Sequence, residues 1–179
     1  MKKITHQEIL QRKPKAQAVK KLPRTPCCLV VDNVRSLYNI GSFFRSSDAV
    51  LIEKIYLCGI AGTPPEKEID KTALGATEVV PWEYFASVED CLEHLKDRQY
   101  NIYGLELTHE SLPYFDTQFK FPMALVVGNE VDGISDEALE YVDLAVDIPM
   151  LGRANSLNVA TAYAVTAYEI LRQYRYADT

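Results

Sequence analysis

The 179-residue chain has no run of eighteen or more apolar residues, which excludes a membrane-spanning helix by hydropathy. It has only four cysteines, two of them adjacent at Cys27 and Cys28, and no C-x-x-C pair. That pattern excludes a zinc ribbon and fits reduced thiols packed as small apolar groups. Only three histidines occur, His6, His94 and His109, too scattered for a metal site, so no metal is expected. Neither G-x-G-x-x-G nor G-x-x-x-x-G-K-[ST] is present, which disfavours a dinucleotide or P-loop enzyme. No internal repeat or low-complexity tract is visible. Met1-Lys2-Lys3-Ile4-Thr5-His6 carries charge with no apolar core behind it, unlike a secretory signal. A cytoplasmic location is the expectation.

What is present is an ordinary globular composition, 47% hydrophobic and 25% charged, with the length of one domain. The net charge of −6 argues naively against nucleic acid, but its distribution argues the other way. Residues 1–24 hold eight Lys/Arg against one acid, Glu8; the remainder holds 11 basic and 24 acidic residues. A basic arm on an acidic body is a footprint of phosphate binding. The expected organisation is a basic helix, arm and linker over 1–26 and a folded body over 27–179.

Thr5 and Glu8 read as a capping box opening a short helix. Apolar runs predict strands at 27–31, 54–58, 77–80, 101–107, 123–127 and 144–148. Helices are predicted after Asn39-Ile40-Gly41, over 66–73, from Ser87 to Asp97, after Ser135, and from Ser156 onward. Strand and helix alternate, so the expected fold is α/β, a mostly parallel sheet with helices on both faces.

Three segments stand out, each at the end of a predicted strand. The first is Asn33-Val34-Arg35-Ser36-Leu37-Tyr38-Asn39-Ile40-Gly41-Ser42-Phe43-Phe44-Arg45. The second is Val126-Val127-Gly128-Asn129-Glu130-Val131-Asp132-Gly133-Ile134-Ser135. The third runs from Ile148-Pro149-Met150-Leu151-Gly152-Arg153 through Ala154-Asn155-Ser156-Leu157-Asn158-Val159-Ala160. A glycine at a strand's carboxyl end, such as Gly128, lets a ligand approach the backbone. An arginine such as Arg45 binds phosphate bidentately and stays charged. In this order the segments resemble the three motifs of the SpoU/TrmH-type RNA ribose 2′-O-methyltransferases of the SPOUT superfamily, and the resemblance runs from about Leu29 to Leu171.

The resemblance implies a C-terminal deep trefoil knot, S-adenosylmethionine as cofactor, and RNA, tRNA first and rRNA second, as substrate. It implies cofactor contacts from Leu105, Glu106, Gly128, Ile148 and Leu157. It places Arg45, Asn33, Glu130, Ser156 and Asn158 in the active site. Arg45 would hold the reactive phosphate and polarise the hydroxyl. Asn33 would orient Arg45 or the ribose, and Glu130 would pair with Arg45 or position the substrate. One departure is visible: Val131 stands where the family often has glycine, and a β-branched residue disfavours positive φ, so a related but different loop conformation is expected. The last helix, with Ala160, Ala162, Ala164 and Ala167, matches the element that, with the first motif, builds a homodimer with shared active sites. A non-catalytic RNA-binding protein of the same fold is the alternative.

Overall fold

The computed structural model describes residues 1–176. Thr25–Asp32 (β1), Ile52–Cys58 (β2), Trp82–Phe85 (β3), Asn101–Leu105 (β4), Leu112–Pro113 (β5), Met123–Val127 (β6) and Leu144–Asp147 (β7) form one sheet. Its order is β3-β2-β1-β6-β4-β7-β5, and every neighbouring pair is parallel. The helices are α1 (His6–Arg12), α2 (Ala16–Val19), α3 (Leu37–Ala49), α4 (Lys67–Ala73), α5 (Val88–Asp97), α6 (Asp136–Leu139) and α7 (Val159–Tyr176).

The central strands β1 and β6 are continuous apolar runs because both faces of the sheet are covered. Leu29, Val31, Leu125 and Val127 face Phe43 and Phe44 of α3 and Tyr163 of α7. The alternate residues Cys28, Val30, Ala124 and Val126 face Leu92 and Leu95 of α5 and Ala138 of α6. Helices α3 and α7 are joined inside the core, where the Ser47 and Tyr163 hydroxyls lie 2.7 Å apart and the Phe43 and Tyr163 rings meet edge to face. Gly41 lets α3 touch α4, since a Cβ there would lie 2.0 Å from Thr72 Oγ1.

Most predicted elements are present, with two corrections. Residues 77–80 are not a strand: Ala76–Glu78 form a 3₁₀ turn after Leu74 and Gly75 take positive φ. The third strand begins after Pro81, whose carbonyl accepts from Ile55 N–H at 2.9 Å. The last helix begins at Val159 rather than at Ser156. The short edge strand β5 carries no sequence pattern. The Thr5–Glu8 capping box forms, with Thr5 N–H donating to Glu8 at 2.7 Å and Glu8 N–H to Thr5 Oγ1 at 3.3 Å.

The basic segment is not all free arm. Val19 is buried, and Arg24 donates to the carbonyls of Ile52 (2.9 Å) and Val79 (2.6 Å). All four cysteines are buried free thiols, and burial pushes the Cys28 thiol up to about 12. Among the described residues, no helix is long and apolar enough to cross a membrane.

Candidate active site

The carboxyl ends of β4, β6 and β7 open onto a cleft of about 900 Å³, a ligand-sized volume at the edge where parallel sheets bind ligands. Its lining includes Leu105, Glu106, Gly128, Glu130, Ile148, Ser156, Leu157 and Asn158, so these predicted residues are brought together. Asn33 and Arg45 are not in that lining.

Glu130 ties the second motif to the first. Its carboxylate accepts from Arg35 N–H (3.2 Å), Ser36 N–H (3.1 Å) and the Asn39 side-chain amide (2.8 Å). Those N–H groups open α3, where four backbone donors lack helical partners and an anion is favoured. Burial pushes the Glu130 carboxyl up, but the donors from Asn39, its own backbone, Ser36 and Arg35 outweigh it and hold the group below its ordinary value. Glu130 therefore does not pair with Arg45; its carboxylate is spent on α3.

Asn39 reaches the third motif as well. Its side-chain oxygen accepts from the Asn158 amide at 3.1 Å. Asn158 in turn caps α7, its oxygen accepting from Ala160 N–H (3.0 Å) and Thr161 N–H (3.3 Å). This explains an asparagine at that place. Ser156 sits three residues before the helix, exposed and with no hydrogen bond among the described residues. The first motif carries Asn39 without marking this role; an asparagine on the first turn of an otherwise apolar helix face is the sequence signal for it, and the structure buries it.

Asn33 has φ +55, and its side chain spans two strand ends. Its amide donates to Asp32 (2.8 Å), and its oxygen accepts from Ile60 N–H (3.1 Å). Its carbonyl accepts from the Asn129 amide (2.8 Å). Asp32, fully buried, accepts from Ser135 N–H at 2.8 Å. Asn33 thus orients the loops around it and does not touch Arg45.

The Gly128–Ser135 loop folds back on itself. Asn129 and Gly133 exchange backbone hydrogen bonds of 2.8 and 3.1 Å. A Cβ on Gly128 would lie 2.0 Å from the Gly133 carbonyl carbon, so glycine is required there. The positive φ of this loop falls on Gly133 (+74°), not on residue 131. Val131 is accordingly accommodated, 89% exposed at the cleft mouth. Glu106 straps the loop to β4, accepting from Ile134 N–H and Leu107 N–H at 3.0 Å each. It lines the cleft with both carboxylate oxygens already engaged.

Among the described residues, none of residues 148–157 makes a hydrogen bond, so that loop presents unspent backbone donors and acceptors to the cleft. With Leu105, Ile148, Met150 and Leu157 as apolar walls, this donor set fits a flat heterocycle and its polar edge. The acids Glu106, Glu130, Asp132 and Asp147 also line the cleft, which suits a cation and repels phosphate. The Arg45 side chain is exposed on α3 and makes no hydrogen bond or ion pair among the described residues.

The sequence model of the SpoU rRNA Methylase family matches residues 26–168. The chain belongs to this family. It is 30% identical over 145 residues to a Thermus thermophilus tRNA (guanosine(18)-2′-O)-methyltransferase, covering 81% of this chain and 74% of that one. It is 29% identical over 148 residues to a Staphylococcus saprophyticus protein assigned to the TrmH family of tRNA/rRNA methyltransferases, covering 83% of this chain and 59% of that one. Its fold superposes with TM-score 0.78 and 28% identity on the SpoU methyltransferase AviRb of Streptomyces viridochromogenes in complex with AdoMet, covering 86% of this chain and 62% of that one. The chain therefore spans less than two thirds of the staphylococcal and streptomycete proteins.

Proposed function

We propose that this SpoU-family protein is an S-adenosylmethionine-dependent methyltransferase acting on a ribose 2′-hydroxyl of RNA, tRNA first and rRNA second. The observation that carries this is the single polar network, Asn158–Asn39–Glu130, which holds all three motifs around one cleft. The bound cofactor supplies an electrophilic methyl on a sulfonium. Leu105, Ile148 and Leu157, with the backbone of residues 148–157, would hold the cofactor's flat heterocycle, and Gly128 and the acid-lined floor would hold its cationic part. Glu130, Asn39 and Asn158 fix the geometry, because a small misplacement of reacting atoms costs orders of magnitude in rate. Ser156, exposed at the rim, is placed to meet the substrate.

Arg45 binds the RNA phosphate and polarises the ribose hydroxyl, and it retains its own proton. It projects from α3 outside its own cleft's lining, so the active site is completed in a homodimer, in which α3 and α7 form the shared face. Small residues on α7 suit close packing there. Segment 148–158 leaves β7 and returns to Asn39 on α3, and we assign it to the closing of the family's trefoil knot. Residues 1–26 serve as an RNA-binding arm ahead of the methyltransferase domain at 27–179; apart from Arg24 its basic residues are exposed. The protein acts in the cytoplasm, where its RNA is found.

The test is transfer of labelled methyl from S-adenosylmethionine to bulk tRNA and, separately, rRNA, followed by nucleoside mass spectrometry. A 2′-O-methylated nucleoside from one pool establishes reaction and substrate class. RNA binding with no transfer and no calorimetric binding of S-adenosylmethionine would point to the non-catalytic RNA-binding alternative.

A further inference from the structure

Beyond the cleft, the same edge of the sheet continues across the ends of β1, β2 and β3, and it carries a second constructed feature. Ile60, just past β2, is 58% exposed, and Tyr84 on β3 is 48% exposed. Neither is loose. Tyr84 donates its hydroxyl to the Gly59 carbonyl at 2.9 Å, Gly59 N–H donates to Phe85 at 3.0 Å, and Ile60 N–H donates to Asn33 at 3.1 Å. Gly59 has φ +63, and a Cβ there would lie 2.2 Å from Asn33 Oδ1. Two left-handed residues at adjacent strand ends, locked together, thus hold an aromatic ring and an aliphatic side chain out in solvent. Backbone held in rarely occupied conformations concentrates where a site must be shaped.

We infer that Tyr84 and Ile60 form a stacking platform for an unpaired base of the RNA substrate, next to the nucleotide held at the cleft. The patch is continuous with the site, because Asn33 links Ile60 on one side to Asn129 on the other. Arg35, two residues after Asn33, has its N–H held by Glu130, and its side chain is exposed with no hydrogen bond or ion pair among the described residues. A pinned, exposed aromatic ring receives a splayed-out base by stacking, and a guanidinium on the same edge of the sheet is available to its phosphate. The pinning lowers the entropy cost of binding. The inference rests on the proposed RNA methylation.

The test compares the protein with Tyr84→Ala/Ile60→Ser and with Tyr84→Phe, using methyl transfer to the active RNA pool and calorimetry with S-adenosylmethionine. The double variant is expected to raise KM for RNA about tenfold, the scale of losing one base stack, while kcat falls far less and cofactor affinity holds. Tyr84→Phe, which keeps the ring, recovers most of the loss. An unchanged KM in the double variant, with cofactor affinity intact, overturns the platform. If the native protein methylates no RNA, the proposed function fails, and the platform is read separately by titrating a short single-stranded RNA. Binding weakened about tenfold in the double variant supports it, and equal binding overturns it.

Discussion

Asn39 and Glu130 lie 91 positions apart in the chain and share a 2.8 Å hydrogen bond at the mouth of the cleft. Asn39 is also bonded to Asn158, so its side-chain amide touches both other motifs. Asn39→Asp replaces the donor facing Glu130 with a second carboxylate. Loss of one such partnered group costs about 1–3 kcal/mol, and like charge adds to it. We expect weakened cofactor binding and a severe loss of methyl transfer, with Asn39→Ala milder, measured by calorimetry and by initial rates. Equal cofactor affinity in all three proteins would show that the network does not shape the cleft.

Glu130 sets a pH dependence. Its folded carboxyl titrates below the ordinary 4.5 because Asn39, its own backbone, Ser36 and Arg35 outweigh the effect of burial. A depressed folded value gives stability that is fully present above the unfolded value and is lost as pH falls through the folded one. The stability gap between the native protein and Glu130→Gln should therefore be constant near neutrality and shrink below about pH 4.5. Thermal melts from pH 7 to pH 3 measure it.

Arg45 has no structural partner among the described residues, so its removal should leave the fold alone. Arg45→Ala is expected to keep its melting temperature and cofactor affinity while methyl transfer falls at least about a hundredfold. Full activity would remove Arg45 from the proposed chemistry.

Gly133 combines φ +74 with a neighbour that leaves no room, since a Cβ would lie 2.3 Å from Glu106 Oε2. Gly133→Ala should displace the Glu106 strap and open the loop. The expected result is loss of cofactor binding with a smaller effect on overall stability, seen by calorimetry alongside a thermal melt.

The Ser47–Tyr163 pair offers a purely structural test. Tyr163→Phe leaves the buried Ser47 hydroxyl without its partner. An unsatisfied buried group costs about 1–3 kcal/mol. At about 2–4 °C per kcal/mol for a chain of this size, Tm should fall by several degrees with activity retained.

The alternation of apolar runs was enough to read the parallel sheet and its two helical layers, because β1 and β6 are buried on both faces and show it as unbroken Val, Leu and Cys. The cleft was legible for a different reason: its lining comes from three contiguous segments. What stayed hidden was pairwise. Nothing local in the sequence shows that Glu130 spends its carboxylate on α3, that Glu106 binds Ile134, or that Asn158 rather than Ser156 caps α7. The 77–80 strand failed because Val79 and Val80 pattern as β while the preceding left-handed turn commits the backbone elsewhere. The resemblance has Asn33 orient Arg45 or the ribose, yet its left-handed backbone turns the side chain toward Ile60 and not toward Arg45.

The central position of β1 has a consequence for how the chain is made. Of the seven strands of this sheet it leaves the ribosome first, and β2 can cover only one of its edges. The other edge waits for β6, which follows four other strands in the chain. Until then the nascent protein carries an open row of backbone donors and acceptors along an apolar strand, the arrangement most prone to pair with a stranger. Late closure of long-range parallel pairs also slows folding. Chaperone capture during synthesis should therefore peak on the half-made chain and end once β6 has emerged.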